Sequence, residues 1–306
     1  MKTITSLILV LVFSLSVMAK GSFPELKNIA KLSDIKEKKT LNQISPNIFK
    51  EKRILSLSKA TDNKPSKKAN KFTFSINPYL WTVAVGGDVS IPQIDKTFSF
   101  NVSFSDAIKN LKMAFMVNGK FKYDRVSLLY DIVYYKLKNF GATLPVDTIQ
   151  YTGKTIGKPV SANTTITNTI MDLALAYVFP QQTPGFSLTG YFGTRIWMTN
   201  NGITLIDSTG KQDMLEADKT WVDPILGLNG EWVLSKHWGL DIKGDIGGFG
   251  VNSQFTLMLA TVVAYRVSDN FNILGGIKYL GVNYVDSGYE TNLNQYGFVL
   301  GVGLRL

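Results

Sequence analysis

Tyr296-Gly297-Phe298-Val299-Leu300-Gly301-Val302-Gly303-Leu304-Arg305-Leu306 is the stretch on which the reading of this chain turns. Tyr296, Phe298, Leu300, Val302, Leu304 and Leu306 occupy one set of alternate positions, and Gly297, Val299, Gly301, Gly303 and Arg305 occupy the other. Successive side chains of a strand point to opposite faces, so one face here is bulky and apolar throughout while the other is small and ends in a charge. A face fit for lipid backed by a face fit for a lined interior is the repeating unit of a transmembrane β-barrel.

Upstream, the same period recurs between turn residues. It predicts ten antiparallel strands near 72–86, 110–122, 125–138, 164–178, 186–199, 220–234, 238–247, 254–266, 271–285 and 291–306. The fold class expected is therefore all-β, an up-and-down barrel of about ten strands. Tight polar connections at Tyr123-Asp124, Pro180 to Pro184, Ser235-Lys236-His237 and Val267 to Asn270 suit a periplasmic end, and longer ones at 87–109, 139–163 and 200–219 suit the outside. Phe98, Phe100, Val102 and Phe104 also alternate, which fits an added hairpin or a loop packed in the mouth, with Ser105-Asp106 capping a short helical turn. Two aromatic girdles are expected, Tyr177, Trp232, Trp238, Tyr265 and Phe271 near the short turns and Trp81, Tyr134, Trp197, Trp221 and Tyr279 near the long loops. A soluble β-sandwich is the competing architecture; it would bury the same alternate residues against a second sheet.

The first 71 residues read differently. Met1-Lys2, the apolar run Ile4 to Val17 and the small residues around Val17-Met18-Ala19 make residues 1–19 a signal peptide cleaved after Ala19, because the run is shorter than the roughly 20 residues of a spanning helix. Residues 20–71 carry 14 Lys and Arg against 5 Asp and Glu, whereas 72–306 carry 18 of each, so the net charge of +10 is concentrated before the barrel. This Lys-rich stretch, ending in Lys64, Lys67, Lys68 and Lys71, reads as a flexible periplasmic extension. It is either a solvated linker or a contact for anionic peptidoglycan or lipid headgroups. Export argues against nucleic acid. The expected partners are outer-membrane lipid, lipopolysaccharide and the barrel-assembly machinery, with the chain a monomer. With 0 Cys, a lipid-modified Cys, a disulfide and thiol chemistry are excluded.

If apolar residues face lipid, their neighbours line the interior. That inward set is Lys112, Lys120, Lys122, Arg125, Asp131, Asp172, Arg195, Asp223, Glu231, Asp241, Lys243, Asp245, Arg266, Lys278 and Arg305. Two readings stay open, an electrostatically zipped plug and a narrow channel for small polar solutes. The single His, His237, falls in a short turn on the periplasmic side, far from where rim catalysis would need a base. Asp223, Glu231, Asp241 and Asp245 could work as acid and base, but Lys243 between two of them makes structural pairing the simpler account. Gly247-Gly248-Phe249-Gly250 lacks the Lys and Ser/Thr of a phosphate loop and reads as a tight connection. No catalytic residue, metal or cofactor is expected.

Trp221-Val222-Asp223-Pro224, Gly244-Asp245-Ile246-Gly247-Gly248-Phe249-Gly250-Val251 and Tyr265-Arg266-Val267-Ser268-Asp269 follow one another in an order found elsewhere. So do Pro78-Tyr79-Leu80-Trp81, Phe104-Ser105-Asp106 with Leu111, and Tyr279-Leu280 with Asn283-Tyr284. On these motifs the chain resembles a family of small, porin-like proteobacterial outer-membrane β-barrels, mostly without an assigned activity. The resemblance spans roughly 74–306 and implies a membrane barrel, with no catalytic residue to carry over. Leu306 stands where such barrels commonly end in Phe, and the Lys-rich extension departs from the pattern. The function expected is a narrow porin-like channel or an envelope structural protein; the alternatives are a surface adhesion barrel using 139–163 and 200–219, or a rim enzyme.

Overall fold

A computed structural model describes residues 72–91, 96–141, 149–151, 154–156, 159–180, 183–207 and 212–306. The signal peptide expected at 1–19 and the extension expected at 20–71 lie outside the described residues.

Among the described residues the alternating pattern becomes thirteen strands and one short helix: β1 (Phe72–Ile91), β2 (Lys96–Val102), α1 (Phe104–Asn110), β3 (Leu111–Tyr123), β4 (Val126–Gly141), β5 (Ile149–Tyr151), β6 (Lys154–Ile156), β7 (Pro159–Val178), β8 (Phe186–Asp207), β9 (Gln212–Val233), β10 (Trp238–Gly247), β11 (Ser253–Arg266), β12 (Phe271–Asp286) and β13 (Tyr289–Arg305). Ten of them, β1, β3, β4 and β7 to β13, run antiparallel to their neighbours, and β13 pairs back onto β1 from Ser75↔Arg305 to Ser90↔Glu290. Closure pairs the first barrel strand with the last, so that the sheet's edges are unpaired only along a short gap between β1 and β3. The ten strands expected from the sequence are the ten of the barrel, and a sandwich is excluded by that closure.

Four short connections gather at one end, at 124–125, 179–185, 234–237 and 267–270. The opposite end is uneven. β8 and β9 each run 22 residues, whereas β10 runs 10 and turns at once into β11 through Gly248, Phe249 and Gly250, all with positive φ. The connection expected at 200–219 is therefore not a loop: its residues continue β8 and β9 in register, Thr199↔Lys219 to Ile206↔Gln212. Above the band of exposed apolar side chains the outward positions turn polar, so the hydrophobic alternation fades although the backbone ladder continues. Likewise β7 begins at Pro159, and 139–163 includes the small hairpin β5–β6. The Phe98-to-Phe104 alternation becomes β2, paired to the top of β1, followed by α1. The cap of α1 is Ser103 rather than Ser105: its hydroxyl accepts from the Asp106 N–H at 3.2 Å.

The wall has one seam. β1 pairs with β3 only up to Pro78↔Val117, and with β2 only from Val85↔Val102 onward. Between them, Tyr79 to Ala84 have no strand on that side. Pro78 cannot donate to a ladder, which suits the point where pairing stops. Above it the Trp81 N–H donates to the Met116 thioether at 3.1 Å, and α1 turns Ala107 inward as a buried residue. Phe104 stacks on Phe298 and meets Tyr296 edge-on.

Outside, large apolar side chains stand exposed, among them Phe115 (56%), Phe192 (62%), Leu226 (56%), Phe298 (59%) and Leu300 (62%). Inside, the upper half is filled. Trp81, Trp197 and Trp221 are almost fully buried within the barrel rather than in an outer girdle, which corrects that expectation. Tyr279 is buried too, its hydroxyl donating to Asn294 at 2.6 Å. Tyr177, Trp238 and Tyr265 do stand exposed near the short turns.

Candidate functional site: the barrel interior

Three layers fill the interior from the tall end downward. The first is aromatic. Trp197 and Trp221, cross-strand partners on β8 and β9, stack at 5.5 Å, and Tyr284 of β12 stacks on Trp221 at 4.1 Å. The three rings roof the barrel over the low β10–β11 turn. Beneath the roof Trp221 Nε1 donates to Ser253 Oγ at 2.8 Å, and Ser253 gives Asp223 both its N–H (2.8 Å) and its hydroxyl (2.6 Å). Asp223 thus finds hydrogen-bond donors rather than a cation. Nearby, the Tyr135 hydroxyl donates to Gln295 at 2.7 Å and accepts from Asn168 at 2.6 Å.

The second layer is ionic and dry. Arg195, with no exposed surface, donates from Nε and an Nη to the two Asp172 oxygens, both at 2.8 Å, and its other Nη lies 3.1 Å from Asp245. Tyr191 completes the cluster by donating to Asp245 at 2.9 Å. Gly227, the cross-strand partner of Tyr191, makes that reach possible, since a Cβ there would lie 2.3 Å from the tyrosine ring. Beside this cluster Lys278 donates to Asp131 at 2.8 Å, while the Tyr79 hydroxyl donates to the other Asp131 oxygen at 2.7 Å. One planar guanidinium shared by two carboxylates is the bidentate geometry that lets buried charges hold each other without water.

The third layer is a cavity of about 410 Å³ reaching the short-turn mouth. Lys120 and Glu231 pair across it at 2.8 Å. Asp241 and Lys243 line it from β10, and Met258, Ala260 and Val262 line it beside them from β11.

The expected interior charges therefore divide. Lys120, Glu231, Asp131, Lys278, Asp172, Arg195 and Asp245 meet in three clusters, and Asp223, Asp241 and Lys243 are interior without a salt bridge. Four do not join them. Lys112 is exposed at a register shift between Leu111 and Met113, Arg125 lies exposed in the β3–β4 turn, and Arg266 and Arg305 stand exposed at the strand ends. Lys122 is half-buried near the mouth. His237 is exposed, stacked near Tyr265, its Nδ1 3.1 Å from the Arg266 carbonyl oxygen. Among the described residues no group of His, Asp and Glu is arranged to hold a metal ion.

Sequence reasoning missed Tyr79, Tyr191, Asn229 and the three interior tryptophans. Spacing could have found them: Trp197 is two residues from Arg195 and Trp221 two from Asp223, so each shares a face with a charge that must point inward.

No known family pattern matches the chain, and no curated protein matches it by sequence. Solved structures similar to it include the outer membrane protease OmpT from Escherichia coli, at 10% identity, covering 78% of this chain and 98% of that one with a TM-score of 0.46. The attachment invasion locus protein Ail of Yersinia pestis is similar at 10% identity, covering 77% and 98%, with a TM-score of 0.32. A Pseudomonas aeruginosa FadL homologue is similar at 10% identity, covering 76% and 89%, with a TM-score of 0.31.

Proposed function

We propose that this chain is an integral outer-membrane protein whose barrel is sealed towards the outside and holds a blind, charged cavity open to the periplasm. The observation that carries the reading is the pair of buried layers: among the described residues, Trp197, Trp221 and Tyr284 stack over Arg195, Asp172 and Asp245 where a polar path would have to run. A closed antiparallel barrel with a bulky apolar exterior needs lipid around it, because the exposed Phe and Leu side chains would otherwise form one large wetted apolar surface. Short turns at one end and tall strands at the other support an orientation with periplasm below and exterior above. The reading favours an envelope structural or ligand-holding role over an open porin-like channel, and it is non-catalytic.

Because the native chain has 0 Cys, single cysteines report access without background. Ala264→Cys, on the cavity wall, is expected to react with a membrane-impermeant thiol reagent in the folded protein. Val282→Cys, fully buried in the upper interior, is expected to stay protected. Equal labelling of both would overturn the sealed interior.

A further inference from the structure

We infer that the cavity is a binding site for a small zwitterion with an apolar side chain, of the amino-acid class. The inference rests on the blind, periplasm-facing cavity of the reading above.

The walls hold one surplus charge of each sign. Asp241 faces Glu231 across the β9–β10 ladder, and Lys120 bonds to Glu231. Asp241 receives just the Asn229 amide, at 3.1 Å. Two residues along the same strand face, Lys243 makes no salt bridge among the described residues; its ammonium lies 5.0 Å over the Tyr191 ring. The two charges do not neutralise each other, because Asn229 holds one and Tyr191 draws the other away. Their Cα atoms are separated by about 6.6 Å of extended strand, a span that an α-amino acid's own ammonium and carboxylate can bridge. A third group points the same way: the buried Oδ1 of Asn229 has no donor, so it offers an acceptor to a ligand ammonium beside Asp241.

The neighbouring strand supplies the rest. Lys243 is the cross-strand partner of Ala260 and Asp241 that of Val262, with Met258 above, so an apolar strip containing a small residue lies beside the charges on the same cavity wall. A volume of about 410 Å³ exceeds by an order of magnitude the roughly 30 Å³ share of one water and leaves room for a branched side chain.

The test uses the refolded full-length protein in detergent micelles and three probes of one shape, compared by titration calorimetry. L-leucine carries both charges, 4-methylpentanoate only the acid and 3-methylbutylamine only the amine. L-leucine is expected to bind at least tenfold more tightly than either analogue. Lys243→Met should weaken leucine at least tenfold and leave the amine unchanged, while Asp241→Asn should weaken leucine and leave the acid unchanged. Leucine binding no tighter than the analogues, or no heat at millimolar concentration, would overturn the inference on the unaltered chain, whatever the variants do. A silent barrel that fails to bind sinks this inference alone; a conducting barrel that binds sinks the sealed reading alone.

Discussion

Replacing Arg195 by Met removes the one cation that two buried carboxylates share. Asp172 loses both of its 2.8 Å partners, and Asp245 keeps only the Tyr191 hydroxyl. Breaking a buried pair by deleting one partner costs about 3–5 kcal/mol, since the buried charges left behind lose the cation that hydrogen-bonds them. With a urea dependence of about 2–3 kcal/mol per molar, the unfolding midpoint of the folded barrel in micelles should fall by roughly 1–2 M. The triple variant Arg195→Met, Asp172→Asn, Asp245→Asn separates charge from packing. It removes the orphaned carboxylates along with the guanidinium and should recover most of the loss, because an uncharged replacement of a buried ion cluster is often neutral or better. The assay is equilibrium urea unfolding followed by tryptophan fluorescence, with reversibility shown by coincident refolding. A midpoint for Arg195→Met within about 0.3 M of the parent would refute the reasoning, as a shift below about 1 kcal/mol is what a solvent-screened pair gives.

Gly227→Ala drives a methyl into the Tyr191 ring and should cost about 1–3 kcal/mol, checked in the same unfolding assay, with Tyr191→Phe expected to relieve only part of it. Met116→Leu keeps the volume at the seam but removes the thioether acceptor of the Trp81 N–H; amide exchange at Trp81 should accelerate, with a loss of about 1–3 kcal/mol for the orphaned donor. At the tall end, above the apolar belt, the hydrogen bond from Lys219 (2.9 Å) holds the Asp286 carboxyl below the usual range. A depressed folded value means that this contact contributes above the ordinary carboxylate pKa of about 3.9 and is lost as pH falls through the lowered one. Carbon-detected titration of Asp286 should show that depression, and Lys219→Met should raise the midpoint.

Barrel closure and strand number were legible because period-2 alternation survives wherever one face meets lipid and the other a polar interior, as from Tyr296 to Leu306. The pattern misled where that contrast disappears. In Tyr79-Leu80-Trp81-Thr82-Val83 both faces are apolar, since the upper interior is itself an apolar plug, so Trp81 looked like an interfacial anchor. Beyond lipid, β8 and β9 carry Thr, Asn and Asp outward, and their continuation looked like a loop. The charged residues near strand centres, Arg195, Asp172 and Lys278, were legible as interior because lipid would not accept them. Arg125 and Arg266 were not distinguishable from them by alternation, although both sit next to a turn and reach solvent. Which charges pair was beyond the sequence: Lys278 meets Asp131 across 147 residues, a consequence of how the closed barrel sets opposite walls face to face.

The central claim is that the barrel is sealed, and single-channel recording of the refolded full-length protein in a planar bilayer tests it most directly. Heat-modifiable electrophoretic mobility establishes that the inserted protein is folded. A sealed barrel stays silent, and stays so when Trp197 and Trp221 alone are replaced by Ala, because the Arg195, Asp172 and Asp245 layer still fills the interior beneath them. Stable, ion-selective steps from the unaltered protein would contradict it.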